Sequence, residues 1–205
     1  ERGKKIHMKT LAKRNIFVLV VYLAALALSA FFLMNYGKVQ IHKYLNQFVG
    51  VPLIDNFFFY ITYLGDGRIT LIMLPVILFY NVRLGIVCTI SFLLAGLTAN
   101  IIKYGLYDEV MRPAFVFDWI IHTQFKRVKF IDLHIHNSFP SGHSTQAFAI
   151  FMCLAFFARN GLNKVMFLSI ALFTAFSRVY LSQHWLVDIT VGSIVGVGSA
   201  FVMYW

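Results

Sequence analysis

The chain has 205 residues, of which 60% are hydrophobic and 13% are charged, and its mean hydropathy is +0.74. These values exclude a water-soluble domain with a polar surface and identify an integral membrane protein. The net charge of +10 does not indicate nucleic-acid binding, because the basic residues do not line a groove with interleaved aromatics. Apolar segments of about 20 residues predict an all-α, polytopic protein with about six transmembrane helices. We expect the whole chain, residues 1–205, to form a single domain.

The first predicted transmembrane helix spans Ile16–Met34. Basic residues crowd the segment before it: Arg2, Lys4, Lys5, Lys9, Lys13 and Arg14. Since basic residues that flank a transmembrane helix mark its cytoplasmic side, the amino terminus is predicted to lie in the cytoplasm. A long apolar span with no small-residue cleavage site after the basic run indicates a signal anchor rather than a removable signal peptide.

The later elements follow from hydrophobic periodicity and turn residues. An aromatic stretch, Tyr36–Phe59, is predicted to lie along the extracytoplasmic interface as an amphipathic segment. Leu64–Gly67 then breaks the pattern. Five more transmembrane helices are predicted at Ile69–Tyr80 (extended on its amino-terminal side), Leu84–Tyr104, Ser141–Ala158, Lys164–Tyr180 and Trp185–Tyr204. Residues 105–139 form the longest polar loop.

Counting crossings places two basic turns, Arg83 and Arg159–Lys164, on the same side as the amino terminus. Four segments of the chain then bring polar and charged residues to the opposite, extracytoplasmic side: Lys103, Arg112, the sequence PSGH at 140–143, Arg178, His184 and Asp188. This convergence predicts one functional face.

Three basic residues of that face, Lys103, Arg112 and Arg178, suit a phosphate dianion, which needs several positive donors at the boundary between membrane and water. Taken singly, a basic residue near a helix end is more often an interfacial anchor. Together with two histidines, the three residues favour an anion site.

In the PSGH sequence, Pro140 can start a helix whose first turn holds Ser141, Gly142 and His143. The free backbone N–H groups and the dipole of a helix start favour an anion, and Gly142 leaves room for its close approach. The alternative is an ordinary proline-initiated helix with a serine cap, which would be favoured if His143 stood alone.

Asp188 follows His184 by four residues, which on a helix places the carboxylate one turn from the imidazole. A hydrogen bond from Nδ1–H to Asp188 would fix the tautomer and leave Nε2 unprotonated, as a nucleophile or a base requires. The alternative for a lone histidine is a packed or interfacial residue. An aspartate that enters an apolar span is costly without a partner, which favours a functional pair.

His134 and His136 form a second group of histidines. In an extended segment both imidazoles would lie on one side and, with His122 or Asp132, would offer ligands to zinc. The ligand spacing favours instead a position on the polar rim of a cleft.

The motifs Lys103…Arg112-Pro113, Pro140–His143 and Ser177-Arg178…His184…Asp188 resemble the three motifs of the type-2 phosphatidic acid phosphatase family, whose site is related to that of vanadium haloperoxidases. The resemblance covers roughly Leu64 to the end of the chain. The first motif departs from the family pattern, because eight residues, 104–111, separate the lysine from the arginine where the family has fewer. A loop after the helix end can absorb the extra length.

The resemblance implies metal-independent hydrolysis of a lipid phosphate, with no cofactor. His184 would attack phosphorus and form a phosphohistidine, Asp188 would orient His184, and His143 would protonate the leaving oxygen and later activate water. The remaining motif positions would stabilise the equatorial oxygens of the transition state: Lys103, Arg112, Ser141, the Gly142 N–H and Arg178.

A site at the mouths of membrane helices predicts an amphiphilic substrate whose phosphate reaches the outer interface. The family implies undecaprenyl diphosphate, lipid A phosphates, phosphatidylglycerol phosphate and phosphatidic acid as candidates. Two alternatives stay open: a phosphotransferase that uses the same intermediate, and a noncatalytic scaffold that retains a phosphate pocket. The compact six-helix form implies a bacterial cytoplasmic (inner) membrane protein whose active site faces the periplasm.

Overall fold

The computed structural model of the chain describes residues 2–107, 109–122, 125–129 and 131–205, with side chains from Arg14 onward. Within these ranges the regular elements are all helical, as the sequence predicts. Most of the basic side chains that precede the first span fall before residue 14 and lie outside the described part.

Helix α1 (Arg2–Asn35) contains the first predicted span, and its Arg14–Asn35 part is long and apolar enough to cross a membrane. This part lies at the edge of the molecule, since only 11% of its apolar window is buried. The charged start and the apolar remainder of one continuous helix thus follow the sequence pattern.

The predicted amphipathic segment forms two helices, α2 (Lys38–Asn46) and α3 (Pro52–Ile61), rather than one. Between them Gly50 has a φ of +105°, a conformation open mainly to glycine, and Pro52 begins α3. A 3₁₀ turn leads from α3 to α4 (Gly67–Tyr80), and the two parts meet at a bend of 63°. The second predicted span therefore forms, together with α3, a bent pair that has the geometry of a broken span or of a re-entrant loop.

Helices α5 (Val82–Gly105), α8 (Gly161–Tyr180) and α9 (Leu186–Tyr204) begin and end within three residues of their predicted bounds. Within the predicted loop 105–139 a short helix, α6 (Pro113–Phe115), continues into a π turn over Val116–Ile120. Helix α7 (Gly142–Phe157) follows the loop and lies within one residue of its predicted bounds. Among the described residues, four helices are long and apolar enough to span a membrane, or five if the bent pair is one span. Helix α7 has 16 residues and is shorter than such a span, so the count of six stays a prediction.

Helix α7 forms the centre of the bundle, where it is surrounded by α5, α8 and α9. Two glycines of α9 allow this close approach, because a Cβ at Gly192 would lie 2.7 Å from the backbone oxygen of Ser141 and a Cβ at Gly196 would meet that of Thr145. Small residues one helical turn apart are a common means of close contact between membrane helices. The contact fixes the start of α7 against the start of α9.

Candidate active site

The start of α7 is bound directly to the first turn of α9. The backbone N–H of Ser141 donates to the backbone oxygen of Asp188 at 3.1 Å. Ser141 is the N-cap of α7, and its Oγ accepts from the N–H of Ser144 at 3.4 Å. A Cβ built on Gly142 would meet no atom within 4 Å. The helix start therefore presents open space, as an anion site requires.

His184 lies in the turn between α8 and α9 and not on a helix, which corrects the prediction that it shares a helix with Asp188. The two residues still meet: Nδ1 of His184 is 3.4 Å from Oδ2 of Asp188, and both side chains are buried. This contact is long and forms no aligned hydrogen bond. The same Oδ2 accepts from Ser138 Oγ at 2.5 Å and from the Trp185 N–H at 2.9 Å. These two donors fix the carboxylate beside the imidazole.

The surroundings of His184 favour its neutral form. Burial, together with the positive charges of Arg112, Arg178 and Lys103, holds the pKa of His184 well below its ordinary value. Since Nδ1 faces Asp188, the other ring nitrogen, Nε2, lies on the far side of the ring. The arrangement can supply an unprotonated nitrogen near neutral pH.

Lys103 and Arg112 converge on one backbone oxygen. Lys103 Nζ donates to the oxygen of Asn137 at 2.9 Å, and Arg112 Nη2 donates to the same atom at 3.4 Å. Arg112 is further held by the oxygen of His136 at 2.8 Å and by Gln183 at 3.1 Å. The longer spacing between the lysine and the arginine is therefore absorbed in the loop, and both cations reach the same place.

Arg178, in the last turn of α8, supplies the third cation and is only 8% exposed. Its Nη1 donates to Thr62 Oγ1 at 2.7 Å, whereas its buried Nε has no acceptor among the described residues. None of the three cations forms a salt bridge within the described part of the chain. Buried positive charge without a carboxylate partner is costly, and an anionic ligand would relieve this cost.

His143 lies in the first turn of α7. The tight 3₁₀ turn before α4 packs against it, since a Cβ at Gly65 would lie 2.7 Å from the His143 backbone oxygen. The same three cations, Lys103, Arg112 and Arg178, act electrostatically on His143 and on His184, and His143 also acts on His184. The structure thus brings every predicted site residue to one end of the bundle.

Several side chains that support this site carry no sequence signal. Ser138 and Gln183 fix Asp188 and Arg112, and Thr62 fixes Arg178. His42 of α2 lies 3.1 Å from Ser182 Oγ through Nε2 and is buried, and burial lowers its pKa to about 4. Each contact joins residues far apart in the sequence, so periodicity and spacing do not reveal it.

The second group of histidines, His134 and His136, is not part of a cluster of metal ligands within the described residues. No set of three or more His, Cys, Asp or Glu side chains in the described ranges is arranged to hold a metal ion. The side chain of His134 is largely exposed. Its remaining contact with the protein, which partly desolvates the ring, and the charges of Arg112 and Arg178 lower its pKa. His136 contributes its backbone oxygen to Arg112. The zinc alternative therefore has no third ligand here, and the position on the rim stays a prediction.

Sequence comparisons place the chain among known proteins. A family model described as the PAP2 superfamily matches residues 84–205. The chain is similar to the lipid A 1-phosphatase of Porphyromonas gingivalis (35% identical over 71 residues, 34% of this chain and 16% of that protein). It is also similar to the bacitracin transport permease protein BcrC of Bacillus licheniformis (33% identical over 78 residues, 38% of this chain and 37% of that protein). The chain matches less than two fifths of the length of either relative.

Two crystal structures share the fold. Aquifex aeolicus LpxE superposes with a TM-score of 0.71 and 21% identity, over 83% of this chain and 96% of that one. The transmembrane PAP2 type phosphatidylglycerolphosphate phosphatase of Bacillus subtilis gives a TM-score of 0.64 and 20% identity, over 93% of this chain and 94% of that one. The helical arrangement that carries the site is therefore found in solved membrane proteins.

Proposed function

The chain belongs to the PAP2 superfamily, and from that premise we propose that it is a membrane lipid phosphatase that hydrolyses a phosphate monoester or diphosphate through a phosphohistidine at His184. The observation that carries the proposal is the environment of this histidine. It is buried against Asp188 and surrounded by three cations that have no carboxylate partner within the described residues.

In the first step Nε2 of His184 attacks phosphorus, and the bond from phosphorus to the leaving oxygen breaks. This oxygen is the lipid's own in a monoester and the oxygen that bridges the two phosphorus atoms in a diphosphate. His143 donates a proton to the leaving oxygen. Lys103, Arg112 and Arg178 stabilise the equatorial oxygens of the transition state, together with the N–H groups at the start of α7. Asp188 stabilises the positive charge that His184 acquires on phosphorylation.

In the second step His143, now neutral, removes a proton from water, which attacks the phosphohistidine. The bond between phosphorus and Nε2 breaks and inorganic phosphate leaves. Nε2 of His184 is again free and His143 is again protonated, so atoms and charge balance over the cycle. Preorganised cations supply the charge stabilisation that divalent metals supply in many phosphoryl-transfer enzymes.

A lipid substrate is supported by the molecule's apolar cavity. A cavity of about 990 Å³ lies among α1, α2, α8 and α9, and its wall includes Leu186 and Ile189, on either side of the Asp188 turn. Apolar side chains make up most of this wall, while Lys43 and Gln47 of the α2 region lie at its polar part. A hydrocarbon chain fits such a cavity. The three site cations do not line the cavity, and its wall approaches the site at the first turn of α9, through Leu186 and Ile189.

The proposed substrates are lipid A phosphates, undecaprenyl diphosphate, phosphatidylglycerol phosphate and phosphatidic acid. The names of two relatives, a lipid A 1-phosphatase and a phosphatidylglycerolphosphate phosphatase, support this class. We place the protein in the bacterial cytoplasmic membrane, with the amino terminus inside and the site facing the periplasm. The basic turns at Arg83 and Arg159 support this orientation.

The test is phosphate release by purified protein in detergent from a panel of these lipids, with His184→Ala as the blank. We expect release from at least one lipid and none with His184→Ala. Separation of the lipid products distinguishes water from a lipid hydroxyl as the acceptor. Turnover that persists with His184→Ala would refute the proposal.

A further inference from the structure

A second cationic cavity lies at the end of the bundle opposite the catalytic site. It occupies about 1030 Å³ between the α4–α5 turn, the α7–α8 turn, α1 at Arg14 and the end of α9. Three arginines line it: Arg14, Arg83 and Arg159. The cavity contributes nothing to the catalytic mechanism, because the catalytic side chains come from the other ends of α5, α7, α8 and α9.

The charge of this end is unbalanced. Every described acidic side chain lies toward the catalytic end, in the α3–α4 region, the loop between α5 and α7, or the first turn of α9: Asp55, Asp66, Glu109, Asp118, Asp132 and Asp188. A fourth positive charge, Lys164, is 3% exposed at the start of α8 and is repelled by Arg14. Like charges held together, with no acidic side chain beside them among the described residues, favour the binding of an anion.

The three arginines keep side-chain N–H donors that no described residue accepts. Arg14 is fixed through Nη2, which donates to the Phe156 oxygen at 3.1 Å and to Tyr204 Oη at 2.8 Å. Arg83 stacks on the ring of Phe157 at 5.9 Å. Neither Arg83 nor Arg159 donates a side-chain hydrogen bond to a described residue. Guanidinium groups with free donors match the oxygens of a phosphate group.

The walls of the cavity favour a lipid over a free anion. Apolar side chains line the part that runs toward the middle of the bundle: Val76, Ile77, Leu84, Leu154 and Phe167. Val76 is 67% exposed, so the cavity opens sideways, to where hydrocarbon chains surround the helices. Polar groups at the rim and apolar groups below match a headgroup with its chains.

We propose that this cavity binds the phosphodiester headgroup of an anionic membrane lipid, with Arg83 and Arg159 as the principal donors and Arg14 as the third. The bound lipid bridges α1 to the α4–α5 and α7–α8 turns. This site lies at the opposite end of the bundle from the catalytic pocket. Its ligand is a phosphodiester, which the protein does not hydrolyse.

The test is native mass spectrometry of the purified full chain in detergent, titrated with phosphatidylglycerol or with phosphatidylcholine. The variant is Arg83→Gln/Arg159→Gln. The matched control is Lys126→Gln/Arg127→Gln, which removes two charges from the long loop. A third protein, Arg112→Gln, reports any lipid held at the catalytic cations, so failure of this site and failure of the catalytic proposal are distinguishable. Thermal melting shows whether each variant is folded.

We expect phosphatidylglycerol to bind on the order of tenfold more weakly to the double arginine variant. Its affinity for Lys126→Gln/Arg127→Gln and for Arg112→Gln should equal that for the parent. Phosphatidylcholine should bind weakly and equally to all. If the double variant does not fold, Arg159→Gln alone should weaken binding by roughly threefold. The proposal is overturned if the arginine variants bind like the parent, if phosphatidylcholine binds as tightly, if millimolar inorganic phosphate displaces the lipid, or if only Arg112→Gln loses it.

Discussion

The backbone N–H of Ser141 donates to the backbone oxygen of Asp188 at 3.1 Å. This bond joins the start of the central helix, which carries His143, to the first turn of α9, which directly follows the turn that carries His184. Because both ends of the bond are buried, the two histidines keep a fixed relative position. An in-line attack with proton donation to the leaving group needs this kind of preorganisation.

Asp188→Asn should lower kcat by roughly 10²- to 10⁴-fold, because the variant removes the negative charge that stabilises phosphorylated His184. Its amide oxygen can still accept the hydrogen bonds from Ser138 and Trp185, so the variant tests the charge. The control is Ser138→Ala, which keeps the charge and removes one of the two hydrogen bonds, so its kcat should fall far less. Steady-state phosphate release measures both, and equal losses in the two variants would argue against a charge-based role for Asp188.

The acid limb of kcat/KM that reports His184 should lie below about pH 6.5, the ordinary value for histidine. The reason is that burial and neighbouring cations lower its pKa, so the ring stays neutral as the pH falls through that range. Arg112→Gln removes one of these charges, so the pKa of His184 should rise and the limb should move to higher pH. Arg127→Gln, in the long loop, should leave the limb in place. If the acid limb of kcat/KM lies at the same pH in Arg112→Gln as in the parent, the limb does not report His184.

Vanadate should inhibit competitively, because it adopts the five-coordinate geometry of the transition state and binds where the three cations converge. Arg178→Gln should weaken this inhibition by about tenfold or more, because Arg178 has a buried Nε with no acceptor among the described residues. Inhibition constants from initial rates measure both effects. Full activity in millimolar vanadate would mean that the cationic pocket is not where phosphorus reacts.

Gly65→Ala should destabilise the protein and disturb catalysis together. The added Cβ would lie 2.7 Å from the His143 backbone oxygen and 2.9 Å from Thr174 Cγ2, so α7 or the turn before α4 must shift. Overpacking of this kind costs about 1–3 kcal/mol of stability. The matched control is Gly96→Ala in α5, where a Cβ would meet nothing within 4 Å. Melting temperature and kcat should both fall for Gly65→Ala and stay unchanged for Gly96→Ala.

The helices that the sequence predicts well are those with a plain local signal. Helix α5 begins after the Asn81 cap and α8 after the Asn160 cap, both close to the predicted starts. Lys103, Ser141 and Arg178 also lie at helix ends, as the predicted helix bounds place them. Periodicity and end signals were sufficient for these features.

The features that the sequence does not predict depend on tertiary contacts. The sequence predicts a break at Leu64–Gly67 but not the 63° bend between α3 and α4. At this bend the Gly65 turn packs on His143, a tertiary contact that the local pattern does not encode. His184 leaves the helix because its N–H and that of Gln183 both donate to the Arg178 oxygen, which forms a tight turn. Spacing of four residues suggested a helical pair, and the turn achieves a similar approach by another route.

The most direct test of the mechanism is a rapid-quench experiment with His143→Gln and p-nitrophenyl phosphate. This substrate needs no proton on its leaving group, so the first step should proceed, whereas the second step should stall without a base to activate water. We expect a burst of about one nitrophenol per enzyme and an acid-labile phosphoryl group on His184. A phosphoryl group on another residue, or the same burst from His143→Gln/His184→Ala, would contradict it.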